Sequence, residues 1–231
     1  MHHRLNSLPA KIILWGGTGQ SKIVRPIIEN CGSKVVAVFD DTPNISSPFP
    51  DVPLYFGLDG FRKWIQLESC CNEIGFCITI GNPNGRVRMK YHEMLITMGL
   101  LPVTIAHHSA QIAINATVGD GCQFMAGSIV NPEAKIGRQC IINTNASIDH
   151  ECTLSDGVEI SPSATLCGLV TLGINAWIGA GATILPRIQI GDDSIVGAGA
   201  VVTKDIPAGV IVVGIPARIT GKLKSSQRKF L

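Results

Sequence analysis

The chain has 231 residues, with 19 Lys and Arg against 17 Asp and Glu, giving a formal net charge of +2. It is 45% hydrophobic but only 5% aromatic, with a mean hydropathy of +0.30, so its core is made of Val, Ile, Leu and Ala and leans toward β structure. No basic stripe interleaved with aromatics points to nucleic acid, no run of about 18 uncharged apolar residues points to a membrane span, and the opening MHHRLNSLPAK has no apolar signal core; the expected location is the cytoplasm.

Residues 1–106 read as one domain. KIILWGG is an apolar run that ends in glycines, and TGQSKIVRPIIENCG after it reads as a helix. VVAVFDD is a second strand, GLDGFRKWIQLESCCNE a second helix, GFCITIG a third strand, NGRVRMKYHEMLITMG a third helix and PVTIA a fourth strand. Alternating strands and helices imply a small parallel sheet, a Rossmann-like α/β domain. Gly16, Gly17 and Gly19 fall where the first strand meets its helix. Backbone N–H groups and the helix N-terminus favour a phosphate there. Asp40 closes the next strand about 20 residues further on, where a carboxylate can hold a ribose hydroxyl. Lys22 stands in place of the third glycine of the dinucleotide fingerprint, and the domain is short for a full dinucleotide. A mononucleotide or nucleotide sugar fits better, with Lys22 as a phosphate partner.

Residues 107–231 obey another rule. From Ile112 to Val202, every sixth residue is apolar, sixteen in succession. Two positions before each one, thirteen of the sixteen residues are Ala, Ser or Cys; the exceptions are Val158, Val170 and Ile188. Glycine often follows the aliphatic residue, as at Gly119, Gly137 and Gly173. A period of six is the repeat of a hexapeptide β-helix, with each hexad one side of a triangular prism. The aliphatic and the small residue point inward, glycine and other turn formers are expected to bend the chain into the next side, and three hexads make an 18-residue coil. Cys122, Cys140 and Cys152 occupy the small slot, so they are expected to be inert packing residues. With no CxxC among the eight cysteines, no metal is expected.

His150 is the one histidine inside the repeat; the others are His2, His3, His92, His107 and His108. A zinc enzyme on such a prism needs several. Asp149-His150-Glu151 replaces the usual small turn with three ionisable groups. A solvated histidine at a bend is the plain alternative. A carboxylate beside an imidazole orients it and raises its basicity, which suits a general base.

The glycine-rich turn, FDD, IGN followed by Arg86, NTxxxIDHEC and a closing VGIPAR together resemble a group of bacterial sugar acetyltransferases. The group includes the UDP-bacillosamine and GDP-perosamine N-acetyltransferases and the sialic-acid O-acetyltransferases. The resemblance covers nearly the whole chain. It implies a left-handed coil, a homotrimer with active sites at subunit interfaces, acetyl-CoA as co-substrate and a nucleotide-linked amino sugar as partner. It places the general base at His150, the glutamate that raises its basicity at Glu151, and a further catalytic asparagine at Asn143. It places sugar-nucleotide contacts at Thr18, Gly19, Gln20, Asp40, Asp41 and Gly81. Gln20 departs from the group's histidine, which leaves the sugar open. Cofactor contacts are implied at Glu159 (where some members have histidine), Gly168, Ala180 and Ala198. GIPAR resembles the segment covering the CoA nucleotide, with Lys222, Lys224, Arg228 and Lys229 in a basic tail. Asn143 lies one prism side before His150, so the two would meet only across a subunit boundary.

The expected activity is N-acetylation of a UDP-4-amino sugar of the bacillosamine type by direct transfer. O-acetylation of a sialic-acid-like sugar and a non-catalytic nucleotide-sugar-binding scaffold are the alternatives that the residues leave open.

Overall fold

The structure, a computed structural model, describes residues 8–68, 71–81 and 83–223, with Cys71 by its backbone alone. His2, His3, Cys70, Lys224, Arg228 and Lys229 lie outside the described residues. The chain divides into two compact units, Met1–Gly81 with Lys90–Ile105, and Asn82–Met89 with Ala106–Leu231.

The first unit is a five-stranded parallel sheet. Its strands are β1 (Lys11–Trp15), β2 (Lys34–Asp40), β3 (Leu54–Phe56), β4 (Ile74–Ile78) and β5 (Leu101–Pro102), in the order β3-β2-β1-β4-β5. Helices α1 (Gly19–Asn30), α2 (Gly57–Ile65) and α3 (Gly85–Thr97) alternate with them. β1 and β4 are buried almost throughout, which is why they read as unbroken apolar runs. Most of the aromatic content is spent here: Trp15 stacks on Tyr91 with ring centroids 4.4 Å apart, and Phe39 packs against Trp15, Phe61 and Trp64.

Three elements differ from the sequence expectation. The third strand starts at Ile74 and ends at Ile78, before the glycine. Leu54–Phe56 adds a strand too short to show any period. PVTIA does not form one strand. Leu101–Pro102 pairs at the sheet edge, where a proline is tolerated, and Ile105–Ala106 is the first strand of the eight-stranded sheet of the prism.

The second unit is a parallel β-helix. Its two-residue strands recur every six residues and stack into three sheets. Along one face Ile129 pairs with Ser147, Ser147 with Thr165, Thr165 with Thr183 and Thr183 with Val201, a step of 18 residues. Ile142, Ile148, Ile160, Leu166, Leu172, Ile178 and Ile184 are fully buried in a single core with Ala146, Ala164 and Ala176. Each such aliphatic side chain contributes roughly 1.5–3 kcal/mol by leaving water. No helix interrupts residues 110–205.

Within the turns, the part played by glycine differs from the expectation. The left-handed residue falls at every sixth position from Gly121 to Gly199, three residues after the aliphatic one, and most of these positions are not glycine. Asn145, Glu151, Ser163 and Asn175 are examples, with φ between 56° and 59°. The glycines that directly follow the aliphatic residue do not bend the chain. They admit the neighbouring coil: a Cβ at Gly137 would stand 2.7 Å from the backbone N of Asp156, and one at Gly179 2.6 Å from that of Ala198.

The small inward slot holds its cysteines as expected. Cys122, Cys140 and Cys152 are fully buried. Burial pushes the Cys152 thiol up to about 11 and raises that of Cys122, so neither is a thiolate near neutral pH. Two strands close the end, Val210–Val213 and Arg218–Lys222, paired antiparallel.

Candidate active site

His150 sits in the turn after the strand Ser147–Ile148. Asp149 caps this turn: its Oδ1 accepts from the backbone N–H of His150 at 2.8 Å and from Asn131 Nδ2 at 3.1 Å. His150 is exposed, its side chain at 52%. Its Nδ1 lies 2.9 Å from Glu151 Oε2. An ionised carboxylate only accepts, so in the neutral ring this contact places the proton on Nδ1 and the lone pair on Nε2. Glu151 has φ 58°, but its counterparts six residues away on either side are left-handed too, Asn145 at 56° and Gly157 at 72°. Its backbone is therefore the turn's own and stores nothing special to the site.

The opposite face of the ring rests on the next coil. A Cβ at Gly168 would stand 2.6 Å from His150 Nε2 and 2.7 Å from Cε1. Gly168 is not a left-handed residue; it is there for space. On either side of it, the backbone N–H of Cys167 donates to Ile184 O and that of Leu169 to His150 O. The Gly168 N–H has no partner among the described residues. Thus the structure brings His150, Glu151 and Gly168 together, with a free ring nitrogen and a free backbone donor.

Asn143 and Glu159 form a second cluster, on the eight-stranded face. Asn143 Nδ2 donates to Glu159 Oε1 at 3.2 Å, and Glu159 Oε2 faces Arg88 Nη1 at 3.5 Å. Arg88 is fully buried, with Nε and Nη2 donating to the carbonyls of Gln139 and Gly157 at 3.0 and 2.8 Å. Burial lowers its pKa, and Glu159 acts in the opposite direction. Nearby, Arg86 grips Asp193 through two bonds of 2.6 and 2.8 Å, and Asn175 Nδ2 also donates to Asp193. Nothing in the sequence marks Arg88: an arginine in a helical stretch reads as solvent-facing, and only the packing buries it.

Ala180 and Ala198 are exposed and stacked one coil apart, with Gly199 N–H donating to Ala180 O at 2.8 Å. They follow strands of the eight-stranded face, as Asn143 does, and not of the face that carries His150. Within one chain the expected catalytic and cofactor positions therefore fall on two corners.

In the first unit, the expected sugar-nucleotide residues gather at the carboxyl ends of β1, β2 and β4. There the strand order reverses, and open α/β sheets form a crevice. Gly16 has φ 116°, and a Cβ there would stand 2.5 Å from Thr79 O. Thr18 precedes α1, Gly19 opens it, and Thr18 and Gly19 are exposed. Among the described residues nothing lies within 4 Å of a Cβ at Gly19 or Gly81, so both leave room for a ligand. Asp40 Oδ2 accepts from Gly17 N–H at 2.6 Å and Oδ1 from Thr42 N–H at 2.7 Å. Its first duty is therefore to shape the loop. Asp41 accepts a short hydrogen bond from Tyr91 Oη. Burial, then that bond, raises the tyrosine's pKa. Gln20 is half-buried in the first turn of α1, and Lys22 is exposed. Among the described residues no helix is long and apolar enough to cross a membrane.

Residues 11–95 match the family described as the PglD N-terminal domain, and residues 170–204 the bacterial transferase hexapeptide (six repeats). No curated protein sequence matches. Among solved structures, a variant of the perosamine N-acetyltransferase from Caulobacter crescentus in complex with CoA and GDP-perosamine is 32% identical, with a TM-score of 0.81 over 92% of this chain and 97% of that one. The acetyltransferase domain of PglB from Neisseria gonorrhoeae FA1090 in complex with acetyl coenzyme A is 26% identical, with a TM-score of 0.80 over 91% and 98%. WeeI from Acinetobacter baumannii AYE is 27% identical, with a TM-score of 0.78 over 90% and 98%.

Proposed function

Because the chain belongs to the bacterial hexapeptide-repeat sugar acetyltransferases, an acyltransferase family, we propose that it carries the acetyl group of acetyl-CoA directly to the amine of a nucleotide-linked 4-amino sugar, with His150 as general base. The observation that carries this is the pairing of His150 Nδ1 with Glu151 while Nε2 stands over Gly168. The neutral amine attacks the thioester carbonyl carbon. Its proton passes to His150 Nε2, the C–S bond breaks, and the same proton returns to the departing thiolate. The Gly168 N–H holds the oxyanion, a donor whose loss typically costs roughly 10²–10³ in kcat. No acyl-enzyme forms, so no cysteine is required.

Thr18, Gly19, Gln20, Asp40, Asp41 and Gly81 bind the nucleotide-linked sugar, and a UDP-linked sugar of the bacillosamine type is the first candidate. Gly168, Ala180 and Ala198, small or lacking a side chain, let an extended pantetheine arm lie along the coils. These residues occupy two corners, as does Asn143 relative to His150. A homotrimer in which each site takes one corner from each of two copies reconciles them.

The test is thiol release from acetyl-CoA with UDP- and GDP-linked 4-amino sugars, their 4-hydroxy counterparts and free sialic acid as acceptors. Release with an amino-sugar nucleotide alone is the expected result. Release with sialic acid alone would replace the N-acetyl assignment with O-acetylation, and release with none would leave a binding scaffold.

A further inference from the structure

The Arg88–Glu159–Asn143 chain lies on a different face from His150 within one chain, is largely buried, and has no part in the proton transfer above. Arg88 is fully buried, Glu159 5% exposed and Asn143 9% exposed. Two charges and an amide at such a depth are costly unless each satisfies another. Arg88 has two backbone carbonyls and one carboxylate within reach. An ionised carboxylate cannot donate. It therefore decides which end of the Asn143 amide faces it: Nδ2 donates to Glu159 Oε1, and Oδ1 is turned away. Oδ1 has no partner among the described residues and is not sealed from solvent.

We propose that Arg88 and Glu159 are positioning residues that lock Asn143 with its amide oxygen outward, as a hydrogen-bond acceptor for an N–H of the sugar amine. This rests on the acetyltransferase function proposed above. An acceptor at this point suits an attacking amine, whose N–H it holds while the lone pair is aimed at the thioester. It does not suit an oxyanion, which needs donors. Arg88 and Glu159 touch no substrate; they act through Asn143.

The test exchanges the two groups. N143D removes the amide donor and sets two carboxylates against each other. E159Q removes the charge that orients the amide. The double variant N143D/E159Q restores one amide facing one carboxylate, keeps the charge count around Arg88, and again leaves an oxygen outward. Kinetics are read with acetyl-CoA and either GDP-perosamine or a UDP-linked 4-amino sugar, with acetyl-CoA binding and melting temperature measured alongside.

Each single variant is expected to lower kcat/KM for the acceptor by about tenfold or more, while acetyl-CoA affinity stays within about twofold. The double variant is expected to recover to within about fivefold of the parent, because the two positions are coupled. A double variant as inactive as N143D makes Asn143 a donor and overturns the proposal, as does an E159Q protein that is folded and fully active. If E159Q does not fold, N143A leaves the ion pair intact and decides the matter: unchanged acceptor kinetics sink the idea. A parent protein that releases no thiol with either sugar fails at the earlier step, the acetyltransferase function itself.

Discussion

The imidazole of His150 occupies the space that a side chain at residue 168 would need, with Nε2 2.6 Å from where that Cβ would be. The neighbour is the end of a side chain on an exposed turn, so it can move aside at little cost in stability. G168A is therefore expected to lower kcat by displacing the ring and to leave the melting temperature nearly unchanged. Paired kinetics and thermal melts check it; a large fall in melting temperature with normal kcat would contradict it.

Gly137 gives the opposite expectation. Its missing Cβ would meet backbone, the N of Asp156 and the C of Ser155, both at 2.7 Å. Backbone inside a stacked coil cannot step aside, so G137A should cost about 1–3 kcal/mol as overpacking does. Chemical denaturation measures it, and the protein that remains folded should keep its kcat.

H150A is expected to reduce kcat by about 10²–10⁴, the range for a lost general base, with acetyl-CoA binding mostly intact. E151A should produce a smaller loss, since the imidazole survives without the carboxylate that fixes its tautomer. Steady-state kinetics and calorimetry with acetyl-CoA test both. Near-normal turnover in H150A would remove the assignment.

The buried thiols set an alkaline limit. Burial holds Cys152 up to about 11 and Cys77 up to about 12, against an ordinary value of 9.0. A thiol neutral in the fold and free to ionise when unfolded contributes stability that is fully present below the unfolded pKa. That contribution is lost as pH rises from about 9 through the folded value. Melting temperature should fall over that window and fall less in C152A. Alkylation at pH 8, located by mass spectrometry, should mark exposed Cys31 and spare Cys77, Cys122, Cys140 and Cys152.

How much was legible depends on the range of the forces involved. The sixfold period from Ile112 to Val202 names the prism because every inward position obeys the same local demand for an aliphatic residue. The role of its glycines is not legible in that local pattern. Glycine in a sequence does not say whether it serves a left-handed φ or a near neighbour 18 residues away, and here the second is true of Gly119, Gly137 and Gly179. Leu54–Phe56 is held as a strand by pairing with β2, which no three-residue window can show.

By itself the sequence determined the repeat, the alternating front domain and the acid–histidine–acid turn, because periodicity and adjacent residues are local properties. Only the tertiary structure decided that Gly168 makes room for the His150 ring, that Asp40 closes the Gly17 loop, and that Arg88 lies buried against Glu159 and so turns the Asn143 amide. Those contacts join residues 16 to 71 positions apart. Whether such residues meet is set by how the coils stack and the strands order, not by anything within a few residues of either partner.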